Sequence, residues 1–347
     1  MSKSILAVDA GDLKNIQRVD SPSSWQLAWR RFRRHKLAII GSAVIFLLVT
    51  AAIFAPFLTP YDFASINLNV WDKFKFTPPF WSVPADPSLA DSCVRPAVLL
   101  WECGFHPFGT DDLGRDVLTR VFQGGRVSLL VGFIAAFATT LLGSLLGALA
   151  AYFGGRLDML ISRFIDIMLS MPTFPLLLIL TGLLATQKPD SDIGRIIEAL
   201  GPAKSIFIII MTIILLSWMG TARLVRGEVL SLREREFTEA ARAVGSSHMR
   251  IILHHLLPNA MAVIIVQATL MVGEAILIES GLSYLGLGIQ PPAVSWGNML
   301  SQAQEFFIYP NGFYSAIFPG IFIFLTVLCF NLVGDGLRDA LDPRSKR

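Results

Sequence analysis

The feature that most constrains this chain is a series of six apolar runs, at 37–58, 127–152, 161–186, 206–224, 260–278 and 317–333. Each is close to the ~20 residues that cross the hydrocarbon core of a bilayer as an α-helix. Lipid offers backbone amides no hydrogen-bond partner, so a spanning segment must satisfy its own, as a helix does. The spacing predicts an all-α polytopic membrane protein with six transmembrane helices. A soluble domain of 347 residues would not carry such runs, and 53% hydrophobic against 16% charged residues agrees. A net charge of only +3 gives no reason to expect a nucleic-acid partner.

The basic residues set a topology instead. In 25–36, Trp25, Trp29 and Phe32 interleave with Arg30, Arg31, Arg33, Arg34 and Lys36. Aromatics plus a basic cluster beside a span predict an interfacial helix on the inner leaflet, with membrane lipids as its partner. Positive charge stays inside, so the N-terminus is expected in the cytoplasm. Arg223 and Arg226 end the fourth run, 289–315 contains no Lys or Arg, and the C-terminal residues are charged. Both ends are thus expected to be cytoplasmic, in a plasma or inner membrane, and no cleavable-signal pattern opens the chain. The expected organisation is a tail and interfacial helix at 1–36, a first span at 37–58 and an external loop or cap at 59–126. A core with five spans follows at 127–338, then a tail at 339–347.

The external segment is aromatic and proline-rich (Trp71, Phe74, Phe76, Pro78, Pro79, Phe80, Trp81), so a small folded cap with little regular structure is expected. Cys93 and Cys103 lie there, on the oxidising side, and are candidates for a disulfide. Cys329, in an apolar run, reads as a buried small residue. In 106–117, Thr110 or Asp111 is placed to cap a helix, with Asp112, Arg115 and Asp116 forming local ion pairs. Gly143 and Gly147 fit the small-xxx-small pattern of close helix packing. Arg163 and Asp166 are three apart and can pair.

Pro172 and Pro175 are expected to kink the third span. Broken helices line many transport paths, so both are candidate pathway residues, although neighbouring side chains can equally fill a kink. Glu274 and Glu279 are carboxylates at membrane depth, which face a cavity or a partner. Glu274 is the candidate for the pathway, and Glu279 for a structural role at a helix end.

The stretch 232–259 interrupts the apolar pattern with charge. Phe237, Ala240, Ala241 and Val244 fall at i, i+3, i+4 and i+7, one stripe of a helix. Gly245 follows where a helix end needs a left-handed residue, and Ser246 or Ser247 can cap a second helix. Met249, Ile252, Leu253 and Leu256 repeat the stripe, and Pro258 interrupts the pattern. The reading is two short amphipathic helices joined at a glycine, held between spans; an ordinary interfacial hairpin has the same pattern.

Glu239-Ala240-Ala241, three residues, Gly245, nine residues, then Leu257-Pro258 two places further on resembles the coupling loop of binding-protein-dependent ABC importer permeases. The general pattern prefers Ile where this chain has His255. His-x-Leu-Pro-Asn, the segment His106 to Val117, Glu279 to Gly288 and Asn331 to Arg344 are similar to the C-type subunit of oligopeptide and dipeptide systems. The segment 62–105 is not well covered by this likeness. The resemblance implies a type I ABC importer permease fold with a cytoplasmic two-helix coupling loop. It implies a second permease as heterodimer partner, two cytoplasmic P-loop ATPase subunits and an extracytoplasmic substrate-binding protein. Glu239, Ala240, Ala241, Gly245, Met249, Leu253, Leu257 and Pro258 would form the ATPase-coupling loop. Glu239 would pair with a basic group on the ATPase or fix the loop, and Met249 and Leu253 would enter its groove. The implied cargo is peptide, with nickel chelates, glycans or antibiotic peptides as alternatives carried by the same architecture.

The chain contains no Gly-x-x-x-x-Gly-Lys-Ser/Thr loop, so ATP and Mg are expected on the partner subunits and no cofactor in this chain. His248, His254 and His255 lack the further ligands of a metal site, and no metal is expected. No Gly-x-Ser-x-Gly elbow is present. An ATP-independent channel or secondary transporter is disfavoured by the charged hairpin, and a membrane enzyme by the missing catalytic constellation.

Overall fold

The computed structural model describes residues 24–63, 75–82, 105–188 and 190–342. Among them α1 (Ser24–Phe32), α2 (Lys36–Ile53) and the short α3 (Ala55–Leu58) come first. Two short strands, β1 (Trp81–Ser82) and β2 (Phe105–His106), then pair antiparallel. Next come α4 (Val117–Phe153), α5 (Gly155–Ser170), α6 (Thr173–Ala185), α7 (Asp192–Ala199) and α8 (Lys204–Arg233). α9 (Glu236–Ala243) leads into α10 (His248–Tyr284), followed by α11 (Trp296–Ala303) and α12 (Tyr314–Leu341). α2, α4, α8, α10 and α12 are long and apolar enough to cross a bilayer. α5 and α6 together make a sixth such unit, bent by 94°.

α4 is the central post, and its pairing with α8 is the most extensive in the molecule. The small residues explain why. A Cβ on Gly143 would come within 2.6 Å of the Trp218 carbonyl oxygen, and one on Gly147 would strike the Ala222 carbonyl. Both glycines therefore let two backbones touch, as lipid-embedded helices require when burial from water supplies no attraction. α10 and α12 close around the other side of α4, burying Val131, Ile213, Met271, Ile276 and Trp296 in one core. α2 lies on α12, with Gly41 against the Cys329 carbonyl, and Cys329 itself is buried as expected. α1 rests on the end of α12, where Arg31 donates to the Asp342 carbonyl at 2.9 Å.

The end of the bundle that carries β1 and β2 is polar, and its carboxylates are bonded within the chain. The sequence placed the helix cap at Thr110 or Asp111; the cap is Asp116, which accepts from the Thr119 amide and hydroxyl at 2.7 Å each. Asp116 also holds His106 at 2.9 Å rather than Arg115. Asp111 gathers the Leu113 and Arg115 amides, the Arg115 guanidinium and Arg120. Glu279 is fully buried and accepts from the hydroxyls of Ser283 (2.7 Å), Ser295 (2.8 Å) and Ser128 (3.2 Å). Those same hydroxyls accept the amides of Ile289, Asn298 and Trp296, so one carboxyl ties α4, α10 and the start of α11 together.

Several expectations change. α4 begins at Val117, ten residues before the apolar run, so 117–126 is helix rather than external loop. Its polar residues are absorbed by packing: Gly124 and Gly125 lie against Ser295 and Trp296, and Arg120 reaches Gln302 at 2.8 Å. The third span is not one kinked helix but two. Met171, ahead of a proline, is extended (ψ 146°), and Pro172 and Pro175 fall at the start of α6, where missing amides cost little. Asp166 pairs with Arg223 instead of Arg163, and Arg226 holds Asp158 with two bonds. Cys93 and Cys103 lie outside the described residues.

Candidate coupling hairpin

α8 does not stop at the end of its apolar run. It continues to Arg233, and one short turn later α9 starts. Glu236 and Glu239 stand in the first turn of α9 and Arg242 in its last, which suits the helix dipole. Val244 closes the helix and Gly245 follows with φ of +79°. The Gly245 amide donates to the Arg242 carbonyl (2.9 Å) and the Ser246 amide to the Ala241 carbonyl (3.0 Å). This is a Schellman closure, in which the left-handed residue is cheap only without a Cβ. Ser247 occupies the cap position of the next helix in extended conformation, without a side-chain bond.

The second arm departs from the expected pattern. Pro258 does not end it. His248–Ile251 runs through a π turn at Ile252–Leu256, closed by the Leu257 amide donating to the Ile252 carbonyl, and on into the span. The wider turn ahead of Pro258 accommodates the ring and its missing amide, which an unbroken α ladder would not. The hairpin therefore has no slack on this side: its second arm and the fifth span are one helix.

Both stripes also sit differently from the periodicity. In α9 the inward residues are Thr238 and Ala241, with Phe237 half-buried, while Ala240 is exposed and Val244 is 83% exposed. Thr238 sets this orientation, because its hydroxyl donates to the Leu232 carbonyl at the end of α8 (2.9 Å). In the second arm Ile251, Ile252 and Leu256 are buried against Val225, Val229 and Ala148, with Leu257 packed beside them. Met249 and Leu253 point away, 52% and 43% exposed. The hairpin thus has one apolar face closed on the bundle, while Val244, Met249 and Leu253, on either side of Gly245 in sequence, are exposed. Glu239 is exposed and bonds nothing among the described residues.

Tyr152, Arg233 and Arg242 complete the site and were not singled out from the sequence. The Tyr152 hydroxyl lies 2.9 Å from His248 Nδ1, the Arg242 guanidinium sits 5.4 Å above its ring, and Arg233 donates to the Ala151 carbonyl at 2.9 Å. The partners are 81 to 96 residues apart, so no local pattern announces them. The candidate pathway residues do not form one cluster. α6 touches α10 where Phe174 covers Gly281, about two turns from Glu274. Pro172, Pro175 and Glu274 are exposed on the single chain. No group of His, Cys, Asp and Glu suited to a metal occurs among the described residues.

A bundle of membrane-crossing helices that holds a charged amphipathic hairpin outside its apolar layer is built as an integral membrane transport subunit. Residues 143–347 match the family described as binding-protein-dependent transport system inner membrane component. Residues 23–79 match the N-terminal transmembrane domain of oligopeptide transport permease C. The chain is 41% identical to a dipeptide transport system permease protein of Alkalihalophilus pseudofirmus, covering 93% of this chain and 91% of that one. It is 36% identical to an oligopeptide transport system permease protein of Bacillus subtilis, covering 98% and 96%. A solved methionine ABC transporter in an inward-facing conformation aligns with 64% of this chain and 96% of its own, at 19% identity and a TM-score of 0.49. The chain belongs to the family of binding-protein-dependent transport system inner membrane components, as a C-type permease of the ABC importers.

Proposed function

We propose that this permease carries di- and oligopeptides across a bacterial or archaeal plasma membrane, as one half of a heterodimeric pathway. The relatives named for dipeptide and oligopeptide transport support that cargo. A second permease supplies the other half, two cytoplasmic P-loop ATPases bind ATP and Mg, and an extracytoplasmic binding protein delivers substrate. This chain itself is no enzyme and holds no cofactor. Both termini and the hairpin face the cytoplasm, in keeping with the basic residues of α1 and at the ends of α8.

The observation that carries the coupling role is the exposure of Val244, Met249 and Leu253 on a hairpin continuous with two spans. Exposed apolar residues on a charged segment between two spans are what an interaction surface offers. Met249 and Leu253 enter the ATPase groove, Glu239 meets a basic group beside it, and Gly245 sets the angle between the arms. When ATP closes the ATPase pair, the hairpin moves and α8 and α10 follow, because neither is joined to it by a loose loop. That motion alternates the pathway between its two faces. Glu274 and the break at Pro172 and Pro175 line the pathway against the second permease.

Gly245→Asp tests this. A Cβ there meets nothing within 4 Å, so the chain still inserts, while a charge enters the tip and the backbone is strained. Uptake in membrane vesicles is expected to fall about tenfold, with ATP hydrolysis retained, from a strain of about 1–2 kcal/mol plus the charge set against the ATPase groove. Unchanged uptake would overturn the coupling role. Co-purification in mild detergent should bring a second permease and P-loop ATPases; a chain that comes alone argues for an ATP-independent channel.

A further inference from the structure

We propose that Tyr152 is a positioning residue that braces the two arms of the hairpin against each other and against α4. This rests on the coupling role proposed above. The reasoning starts from Gly245. Its backbone lies in the left-handed region, and no atom stands within 4 Å of where a Cβ would be. The Schellman closure fixes the turn locally, but no side chain at Gly245 itself ties α9 to α10. A hairpin that flexed there would absorb motion of its tip instead of passing it on. Something has to span the turn.

One side chain does so. Arg242, three residues before Gly245, places its guanidinium 5.4 Å from the centre of the Tyr152 ring. His248, three residues after Gly245, places Nδ1 2.9 Å from the Tyr152 hydroxyl. The ring therefore holds the first arm by cation–π attraction and the second by a hydrogen bond. Phe153 adds an edge contact to His248, its ring centre 5.7 Å away. Tyr152 itself is fixed. It is buried in the cluster with Val229 and Leu256, one residue from the end of α4. Arg233, the last residue of α8, donates to the Ala151 carbonyl there, so the final turn of α4 is pinned on both sides. α4 is also the helix most extensively packed on α8 and lies against α10. Displacement of the hairpin tip is thereby delivered to the central post of the bundle as well as to α8 and α10.

The test uses the complete transporter purified from membranes and reconstituted in vesicles, with trialanine as the transported probe. Tyr152→Phe keeps the ring and loses the strut; Tyr152→Leu loses both. Amide hydrogen exchange of residues 244–251 is expected to quicken about threefold in the first and tenfold in the second, with the middle of α4 unchanged. Trialanine taken up per ATP hydrolysed should fall in the same order, while the ATPases still co-purify. His248→Asn, which retains an acceptor, should behave as wild type, and His248→Ala as Tyr152→Phe. Wild-type exchange in Tyr152→Leu would overturn the brace, whatever the cargo proves to be. If exchange quickens in Tyr152→Leu but wild-type vesicles show no ATP-driven uptake and retain no ATPase, the brace stands as structure and the coupling reading fails.

Discussion

The two ends of this bundle handle polar residues in opposite ways. At the end carrying β1 and β2, polarity is turned inward. Glu279 is fully buried with three serine hydroxyls around it, and Asp111 collects two amides and two arginines. At the hairpin end the arrangement is reversed. Among the described residues the Glu239 side chain makes no bond, and Val244, Met249 and Leu253 are turned out, Leu253 directly beside buried Ile252. A buried polar group is tolerated when its bonds are complete, and an exposed apolar group when a partner will cover it. On the coupling role proposed above, the exposed residues at the hairpin end are the ones a second protein covers.

That contrast predicts a gradient in what substitutions do to stability. The largest loss is expected from Glu279→Ala. It strips the acceptor from three buried hydroxyls at once, and unfolding in detergent should show a loss of about 3 kcal/mol or more. Glu239→Ala, the same change at the other end, should cost no more than the ~0.3–1 kcal/mol of an exposed acid in a first helical turn. Equal losses would break the comparison. Next comes Gly147→Leu, which drives a side chain into the Ala222 backbone between α4 and α8. Overpacking of that kind costs about 1–3 kcal/mol, read in the same unfolding measurement. Thr238→Val should follow. It keeps the shape but removes the hydroxyl bond to the Leu232 carbonyl, which still accepts from the Arg235 amide at 3.3 Å, for about 1 kcal/mol or less.

The same contrast explains what could be read from the sequence. The spans were legible because lipid leaves the backbone few options, and the Gly245 turn because a Schellman closure is local. The direction each hairpin helix faces was not legible. Periodicity put Phe237, Ala240, Ala241 and Val244 on one buried stripe, yet Thr238 turns α9 by its bond to Leu232, and Val244 ends up outside. Prolines marked the interruptions but not their form: Pro258 follows a π turn inside a continuous helix, and Pro172 and Pro175 sit at a new helix's start across a 94° bend, where their amides are not needed. Residues 117–126 look too polar for a span because the packing against Trp296 and Gln302 that accommodates them comes from some 175 residues later. Among the candidate site residues, the motif singled out Met249 and Leu253, which the structure leaves exposed. Tyr152 was missed because its meaning depends on Arg242 and His248 arriving from both sides of the turn.

The smallest expected effect on stability is the most informative about function. Met249→Ser with Leu253→Ser alters two residues that already face away from the core, so unfolding should shift by less than about 0.5 kcal/mol. If the tip is a docking surface, the same double variant removes two apolar anchors at the centre of an interface, where truncations cost about 2 kcal/mol or more each. ATPase recovered with the permease should then drop steeply while the permease itself remains folded. The neighbouring inward pair gives the control: Ile252→Ser with Leu256→Ser should unfold the hairpin before any docking is read. A double variant at Met249 and Leu253 that destabilises the chain as much as the inward pair would mean that the apolar tip is covered from within. The hairpin end would then be as self-contained as the end built around Glu279.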